Sequence, residues 1–411
     1  MSDVAKLVTA CGEAAAAGAP SLAAAPDKQV NEALRDMAAL LPAAGGPVLA
    51  ANAADLAGGD RAGLGKGLLD RLRLDEGRIA EMARQIGLLA RAAFPPAETG
   101  SRDLPGGLRL TERRVPVGVV GANYEARPNV TVDVASQLLK SRNAGVLRTG
   151  GAALGSATAL FEHVITPAVT GAGLDPGAVQ LVRSPDRDGA AELVRRPGLI
   201  PLVILRGSGG TTRALAAEAA RHGVRTLAHA DGGGVLYLDA AADLDLAAAL
   251  ITASLDRLGV CNRLNLLLIH EASWDRLLPA ALAALAPAGV AASLPPHSHP
   301  LGHEWALDTG HEATVTVAPA AGPRAAAAAA NEQTSGLAAG IVTADPVAAR
   351  EFLAAYRGTG AFWNATTRLL DGFKLRGVPE TGINVDHVPG PRGPVTFADL
   401  TLRQYVVTPA G

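Results

Sequence analysis

The sequence predicts an α/β protein of two domains, each built on a parallel sheet. Beyond about residue 117, short unbroken apolar runs alternate with amphipathic stretches, the pattern of strands buried on both faces by helices. At 411 residues the chain exceeds what one hydrophobic core normally holds. Apolar residues make up 48% and charged residues 18%, which allows a large core and argues against disorder.

The elements follow in order. The first hundred residues read as helical. Asp27 is placed to cap a helix in which Val30, Leu34, Met37 and Leu41 share a face. A second helix begins at Asp75, with Ile79, Met82, Ile86 and Leu89 at helical spacing, and Pro95-Pro96 closes it. Pro105-Gly106-Gly107 reads as a turn before Leu108, Leu110 and Val115, which flank the polar run Thr111 to Arg114. That pattern predicts a hairpin over about 98–116 projecting from the body. Strands are then expected at 117–121, 145–147, 179–182, 199–205 and 235–238, with helices at 130–140, 155–164, 190–195 and 211–221. A second set comprises strands 264–269, 313–318 and 340–343, an alanine-rich helix, and a helix at 346–356. The tail from about Val378 is irregular until the strand-like Gln404-Tyr405-Val406-Val407. Domains are thus expected at 1–230 and 231–385, with a terminal segment at 386–411.

A net charge of −2 gives no basic surface for nucleic acid, and no basic amphipathic stretch suits a membrane surface. No apolar run reaches the roughly 18 residues a membrane span needs. Two cysteines make no disulfide framework, and with no signal pattern after Met1-Ser2-Asp3 the expectation is a cytoplasmic protein.

One of those cysteines, Cys261, stands in Leu258-Gly259-Val260-Cys261-Asn262-Arg263, on the loop that feeds the apolar run 264–269. A thiolate there would be a strong nucleophile; a small buried hydrophobe is the plain alternative. Arg206-Gly207-Ser208-Gly209-Gly210-Thr211 ends a strand and opens a helix, where backbone N–H groups suit a phosphate, or simply form a tight turn. Asn129, in Tyr124-Glu125-Ala126-Arg127-Pro128-Asn129-Val130, could aim an amide at an oxyanion, cap the following helix, or both. Arg148 at a strand end is suited to phosphate or ribose, or to solvent. His229 precedes a glycine run and is either an acid–base group or structural. His297, His299 and His303 alternate without a helical His face or a cysteine, so no metal is expected.

Together these segments resemble the γ-glutamyl phosphate reductase family, a branch of the aldehyde dehydrogenase superfamily. The likeness begins at Asn31-Glu32-Ala33-Leu34 and runs through Ala51 to Leu56, Leu69 to Leu72 and Val115 to Val120. Its most specific stretch is Tyr124 to Asp133; Leu139 to Ala144, Gly259 to Asn262, Asn364 to Arg368, Asp371-Gly372 and Arg392 to Pro394 follow in order. The resemblance implies a Rossmann-like cofactor domain, an α/β catalytic domain and a small β flap for assembly. It makes Cys261 the nucleophile and Asn129 an oxyanion donor. Gly207, Ser208, Gly209 and Thr211 lie where the superfamily sets a pyrophosphate. Arg148 takes the place of a cofactor-binding lysine, and its fork favours NADP(H). Arg127, Asn262, Asn364, Thr367 and Arg368 are the implied substrate contacts.

The implied activity is NADPH-dependent reduction of L-glutamyl 5-phosphate to the semialdehyde through a cysteine thioester, in proline biosynthesis. A homo-oligomer, dimer or tetramer, is implied, with possible channelling from a glutamate kinase. A paralogue reducing another activated acyl group, and a catalytically silent binding partner, are the alternatives. Hydrolytic aldehyde dehydrogenases carry a glutamate base where this chain has His229, as reductases of an acyl phosphate do. The chain departs from the reductase pattern at Asn265, where the family has glutamate, at Gly232-Gly233-Gly234-Val235 and at Leu337-Ala338. Glu304 is the candidate for the acidic residue expected before the strand at 313–318.

Overall fold

The structure is a computed structural model that describes residues 2–229, 232–308, 310–385 and 390–410. The chain forms two compact units. The first takes residues 1–229, 378–382 and 395–411; the second takes 230–377 and 383–394. The expected boundaries at 230/231 and 386 fall on residues outside those described. From Val395 the chain returns to the first unit, where Val395, Phe397 and Leu400 join the core.

The first unit is built on a five-stranded parallel sheet. Its spatial order is Val179–Leu181, Ala144–Thr149, Val119–Tyr124, Leu202–Arg206, Arg225–His229. All six residues of Val119–Tyr124 and of Ala144–Thr149 are buried, as continuous apolar runs require when helices cover both faces. The chain moves outward from Val119–Tyr124 in one direction and then, through Leu202–Arg206, in the other. The order therefore reverses between those two strands, and the crevice beyond their carboxyl ends is where open α/β sheets bind ligands.

Five helices precede this sheet, Asp3–Ala24, Asp27–Ala43, Gly45–Arg61, Lys66–Leu72 and Glu76–Arg91. Asp75 caps the last of them by accepting the N–H of Arg78. Asp27 does not cap: Pro26 holds that place and Asp27 is the first helical residue. The hairpin is present as Glu98–Leu104 and Leu108–Pro116, closed by Gly106 and Gly107 at positive φ. Thr401–Pro409 extends it antiparallel into a three-stranded flap, with Thr401 opposite Pro116 and Pro409 opposite Leu108.

The second unit carries a six-stranded parallel sheet in the order Ala291–Ser293, Thr314–Ala320, Leu264–His270, Gly234–Leu238, Ala338–Val342, Gly360–Trp363. Alternate residues feed opposite cores: Leu236, Leu238, Leu267 and Ile269 on one face, Val235, Tyr237, Leu266 and Leu268 on the other.

Candidate active site

Within the first unit, the carboxyl ends of the two strands at the reversal carry both candidate segments. After Tyr124 the chain turns through Glu125, Ala126 and Arg127 into the helix Pro128–Lys140. Arg127, not Asn129, occupies the cap position, because Pro128 already starts the first turn. Asn129 is instead the second helical residue, and its Nδ2 donates to Asp133 Oδ2 at 3.1 Å. Burial raises the Asp133 carboxyl to about 6, against the pull of Arg206 and the Asn129 hydrogen bond. Arg127 pairs with Glu125 at 2.9 Å. Burial works against the Glu125 charge, yet Arg206 and Arg127 hold its carboxyl below the usual range. Tyr124 is buried, its hydroxyl donating to Thr131 Oγ1 at 2.9 Å.

After Arg206 the segment Gly207-Ser208 leads into the helix Gly209–His222. Ser208 holds the cap position, but its hydroxyl bonds the Thr211 hydroxyl at 3.0 Å and caps no backbone group. The first N–H groups of this helix therefore have no side-chain cap, and a Cβ at Gly210 would meet nothing within 4 Å. An uncapped, open helix start of this kind fits a phosphate group of a dinucleotide.

Arg148 lies on Ala144–Thr149, the neighbour of Val119–Tyr124, and is 7% exposed, so the solvent-facing alternative fails. Its guanidinium donates to Asn123 Oδ1 at 3.2 Å and to the Asp186 carbonyl at 3.0 Å. His229 ends the strand Arg225–His229 that sequence reading missed, and pairs in register with Arg206.

In the second unit Cys261 is half-buried on the turn before Leu264–His270. Backbone bonds bind this turn to the glycine run: Gly233 N–H donates to the Cys261 carbonyl and Gly234 N–H to that of Arg263, both at 2.6 Å. The glycines are required by crowding. A Cβ at Gly232 would lie 2.7 Å from Cys261 Cα, and one at Gly234 would lie 2.5 Å from Thr367 Oγ1. Glu304 closes the other side, its Oε2 accepting the Gly232 N–H at 2.9 Å. Cys261 also packs against a small apolar cluster of Leu337, Ala338, Leu370 and Ile383. Two of the chain's departures, Leu337 and Ala338, thus sit beside the thiol.

The residues expected to touch substrate here also bond within the unit. Asn262 Nδ2 donates to the Leu370 carbonyl at 2.9 Å, and its Oδ1 accepts from the Arg368 guanidinium. Thr367 is fully buried and donates to the Asn262 carbonyl at 2.8 Å. Arg368 Nε donates to Asp256 at 2.6 Å. Together these three side chains tie the Cys261 turn to Leu370 and Asp256. Asn364 is not brought to Cys261; exposed, with φ +50°, its amide bonds both the N–H and the carbonyl of Thr343 at 3.0 Å. Arg263, unremarked in the sequence, is fully buried and donates to the carbonyls of Glu312 and Thr314. Burial lowers its guanidinium to about 10, which leaves it charged at neutral pH.

His299 and His303 flank Trp305, their rings edge-on to the indole at 4.8 and 4.5 Å, and His297 lies against His299. His299 pairs with Ser293 and His303 with Asp308. Among the described residues no group of three or more His, Cys, Asp or Glu has metal-holding geometry.

A model of the aldehyde dehydrogenase family matches residues 3–299. A γ-glutamyl phosphate reductase of Clavibacter michiganensis is 38% identical, over 97% of this chain and 93% of its own. One from Moorella thermoacetica is 36% identical, over 100% and 99%. The crystal structure of γ-glutamyl phosphate reductase from Thermotoga maritima superposes with a TM-score of 0.89, at 27% identity over 98% of both chains. An engineered glycolyl-CoA reductase with bound NADP+ shares the fold, with a TM-score of 0.72 at 14% identity over 98% of this chain and 96% of its own.

Proposed function

The chain belongs to the aldehyde dehydrogenase family and, within it, to the γ-glutamyl phosphate reductases, and from that premise we propose how its residues divide the reaction. The protein is an oxidoreductase that uses a nicotinamide cofactor to reduce L-glutamyl 5-phosphate to L-glutamate 5-semialdehyde and phosphate. The observation that carries this reading is the half-buried Cys261 on a turn pinned by the glycine run on one side and by Asn262, Thr367 and Arg368 on the other. A nucleophile held this way loses little freedom when it attacks.

The Cys261 thiolate forms a bond to the acyl carbon. The carbonyl electrons move onto oxygen, where the Asn129 amide and a backbone N–H donate to the developing charge. Phosphate departs with the electrons of its C–O bond and leaves a thioester on Sγ. Gly207, Ser208 and Thr211 at the uncapped start of Gly209–His222 would hold the pyrophosphate of a nicotinamide cofactor and Arg148 its 2′-phosphate; that cofactor would supply the hydride. The hemithioacetal on Cys261 then breaks its C–S bond, freeing the aldehyde and restoring the thiol. Among the described residues, the ring of groups about Cys261 is apolar on the Leu337 side, which suits a thioester that must outlast water.

Asn262, Thr367 and Arg368 act by holding the turn, and Arg127 with Glu125 faces the polar part of the substrate. The exposed edges of the three-stranded flap favour a homo-oligomer in which a second copy covers them. Complementation tests the reading: the gene should restore growth without proline to a strain lacking this reductase, and Cys261→Ala should not. Failure of the intact gene, expressed and folded, would favour a paralogue acting on another activated acid.

A further inference from the structure

Asn265, one of the chain's departures from its family, lies in the buried strand Leu264–His270. Both ends of its side-chain amide serve one tripeptide. Nδ2 donates to the His303 carbonyl at 2.7 Å, and Oδ1 accepts the Trp305 N–H at 3.1 Å. The residue between them is Glu304, whose carboxylate accepts the Gly232 N–H at 2.9 Å. The next glycine, Gly233, donates to the Cys261 carbonyl at 2.6 Å, and a Cβ on it would lie 3.4 Å from the Asn265 side chain. A continuous path of hydrogen bonds and contacts thus runs from the Asn265 amide through Glu304 and the glycines to the nucleophile's turn.

We propose that Asn265 is a positioning residue for the chemistry at Cys261: its amide fixes the backbone on both sides of Glu304 and so seats that carboxylate on the glycine run beside the thiol. Only an amide can do this. A carboxylate at 265 would accept from Trp305 but would set a negative oxygen against the His303 carbonyl. A hydrocarbon would leave the buried Trp305 N–H and the part-buried His303 carbonyl unmatched, which costs more than the bonds themselves contribute. The glutamate that the family carries at this position is therefore incompatible with this loop, and Asn265 and Glu304 form a matched pair. Trp305 is steadied independently by Nε1 donating to Thr316 Oγ1 at 2.9 Å, so losing Asn265 frees Glu304 more than it unfolds the loop.

The proposal rests on the reading of Cys261 as nucleophile, but its test does not need the substrate. In the full chain carrying Cys11→Ala, the rate of Cys261 alkylation by iodoacetamide, the Tm, and kcat and KM for phosphate-dependent NADP+ reduction with glutamate 5-semialdehyde are measured. The variants are Asn265→Ala, Asn265→Asp, Glu304→Ala, Glu304→Gln and the double alanine variant. Asn265→Ala and the near-isosteric Asn265→Asp should change the alkylation rate and lower kcat roughly tenfold to hundredfold, with KM little changed. Glu304→Gln, which keeps an acceptor for Gly232, should recover most of what Glu304→Ala loses. The double variant should be no slower than Glu304→Ala alone, because Asn265 acts through Glu304. Losses that multiply in the double variant, or an Asn265→Ala protein that is less stable yet unchanged in alkylation and kcat, would overturn the proposal. Altered alkylation in an enzyme whose wild type does not turn over this aldehyde supports the proposal and refutes only the substrate.

Discussion

Asn129 donates one amide hydrogen to Asp133 across 3.1 Å, one helical turn away. That bond decides which end of the amide is the donor, because an ionised carboxylate accepts and cannot give. The second hydrogen on the same nitrogen is then the one that the proposed oxyanion role would use. The order parallels a carboxylate that orients a catalytic side chain by hydrogen bonding to its far side.

This relationship predicts a pH dependence. Burial raises Asp133 from 3.8 to about 6, so the folded state binds more protons than the unfolded one between those values. Stability should therefore fall as pH rises across that window, and Asp133→Asn should flatten the decline. Below about 6 the protonated acid can donate to the amide oxygen and the donor end is no longer fixed. The kcat/KM of the wild type should drop as pH falls through about 6, while Asp133→Asn should be roughly tenfold slower with that limb removed. Parallel pH–rate profiles for the two proteins would contradict it.

The two cysteines should differ sharply in reactivity. Cys11 is buried in the helix Asp3–Ala24, where burial raises its thiol and Arg183 only partly offsets that. Cys261 is half-buried on its turn. Iodoacetamide followed by peptide mass analysis should label Cys261 well before Cys11. Equal labelling in the folded protein would remove the structural ground for choosing Cys261.

Much of this was legible in the sequence, for identifiable reasons. The continuous apolar runs gave both sheets because buried parallel strands must be apolar on both faces, and the strand ends were misjudged by only a few residues. Cys261 and the turn Gly207 to Gly209 stood out through residue types that are rare or conformationally special. The missed pieces lack a local signal. Arg225–His229 is a five-residue edge strand with an exposed start, and Leu244–Ala253 is too alanine- and leucine-rich to show a face. Glu304 meets Gly232 across 72 residues of chain, which no periodicity reveals. Motif position identifies Asn262, Thr367 and Arg368 but not the bonds that Thr367 and Arg368 make to Asn262 across more than 100 residues of chain.

Arg148 offers a test of cofactor choice. Its guanidinium is buried at the strand end, bonded to Asn123 and Asp186, with donors left to reach a 2′-phosphate. Arg148→Ala should lower the Tm and weaken NADPH binding more than NADH binding, by about 1.5–3 kcal/mol for a lost charged hydrogen bond. Titration of both cofactors by calorimetry measures the difference. Equal losses would assign Arg148 to the scaffold and leave NADP preference without a residue.

The flap should govern assembly. Leu402, Tyr405 and Val407 are each more than half exposed on the strand Thr401–Pro409, an edge with apolar side chains in solvent. The deletion must spare residues 395–400, because Val395, Phe397 and Leu400 belong to the first unit's core. Deleting residues 401–411, or introducing Val407→Asp, should convert an oligomer to a monomer in light scattering while Tm changes little. A monomeric wild type at micromolar concentration would contradict this.

The most direct measurement runs the chemistry backward with purified protein, glutamate 5-semialdehyde, NADP+ and inorganic phosphate. A cysteine thioester that is resolved by phosphate requires NADPH to appear only when phosphate is present, and Cys261→Ala to be silent while still binding NADP+. NADPH formed without phosphate, with glutamate as product, would mean water resolves the thioester. Undiminished turnover in Cys261→Ala would contradict the assignment of the nucleophile itself.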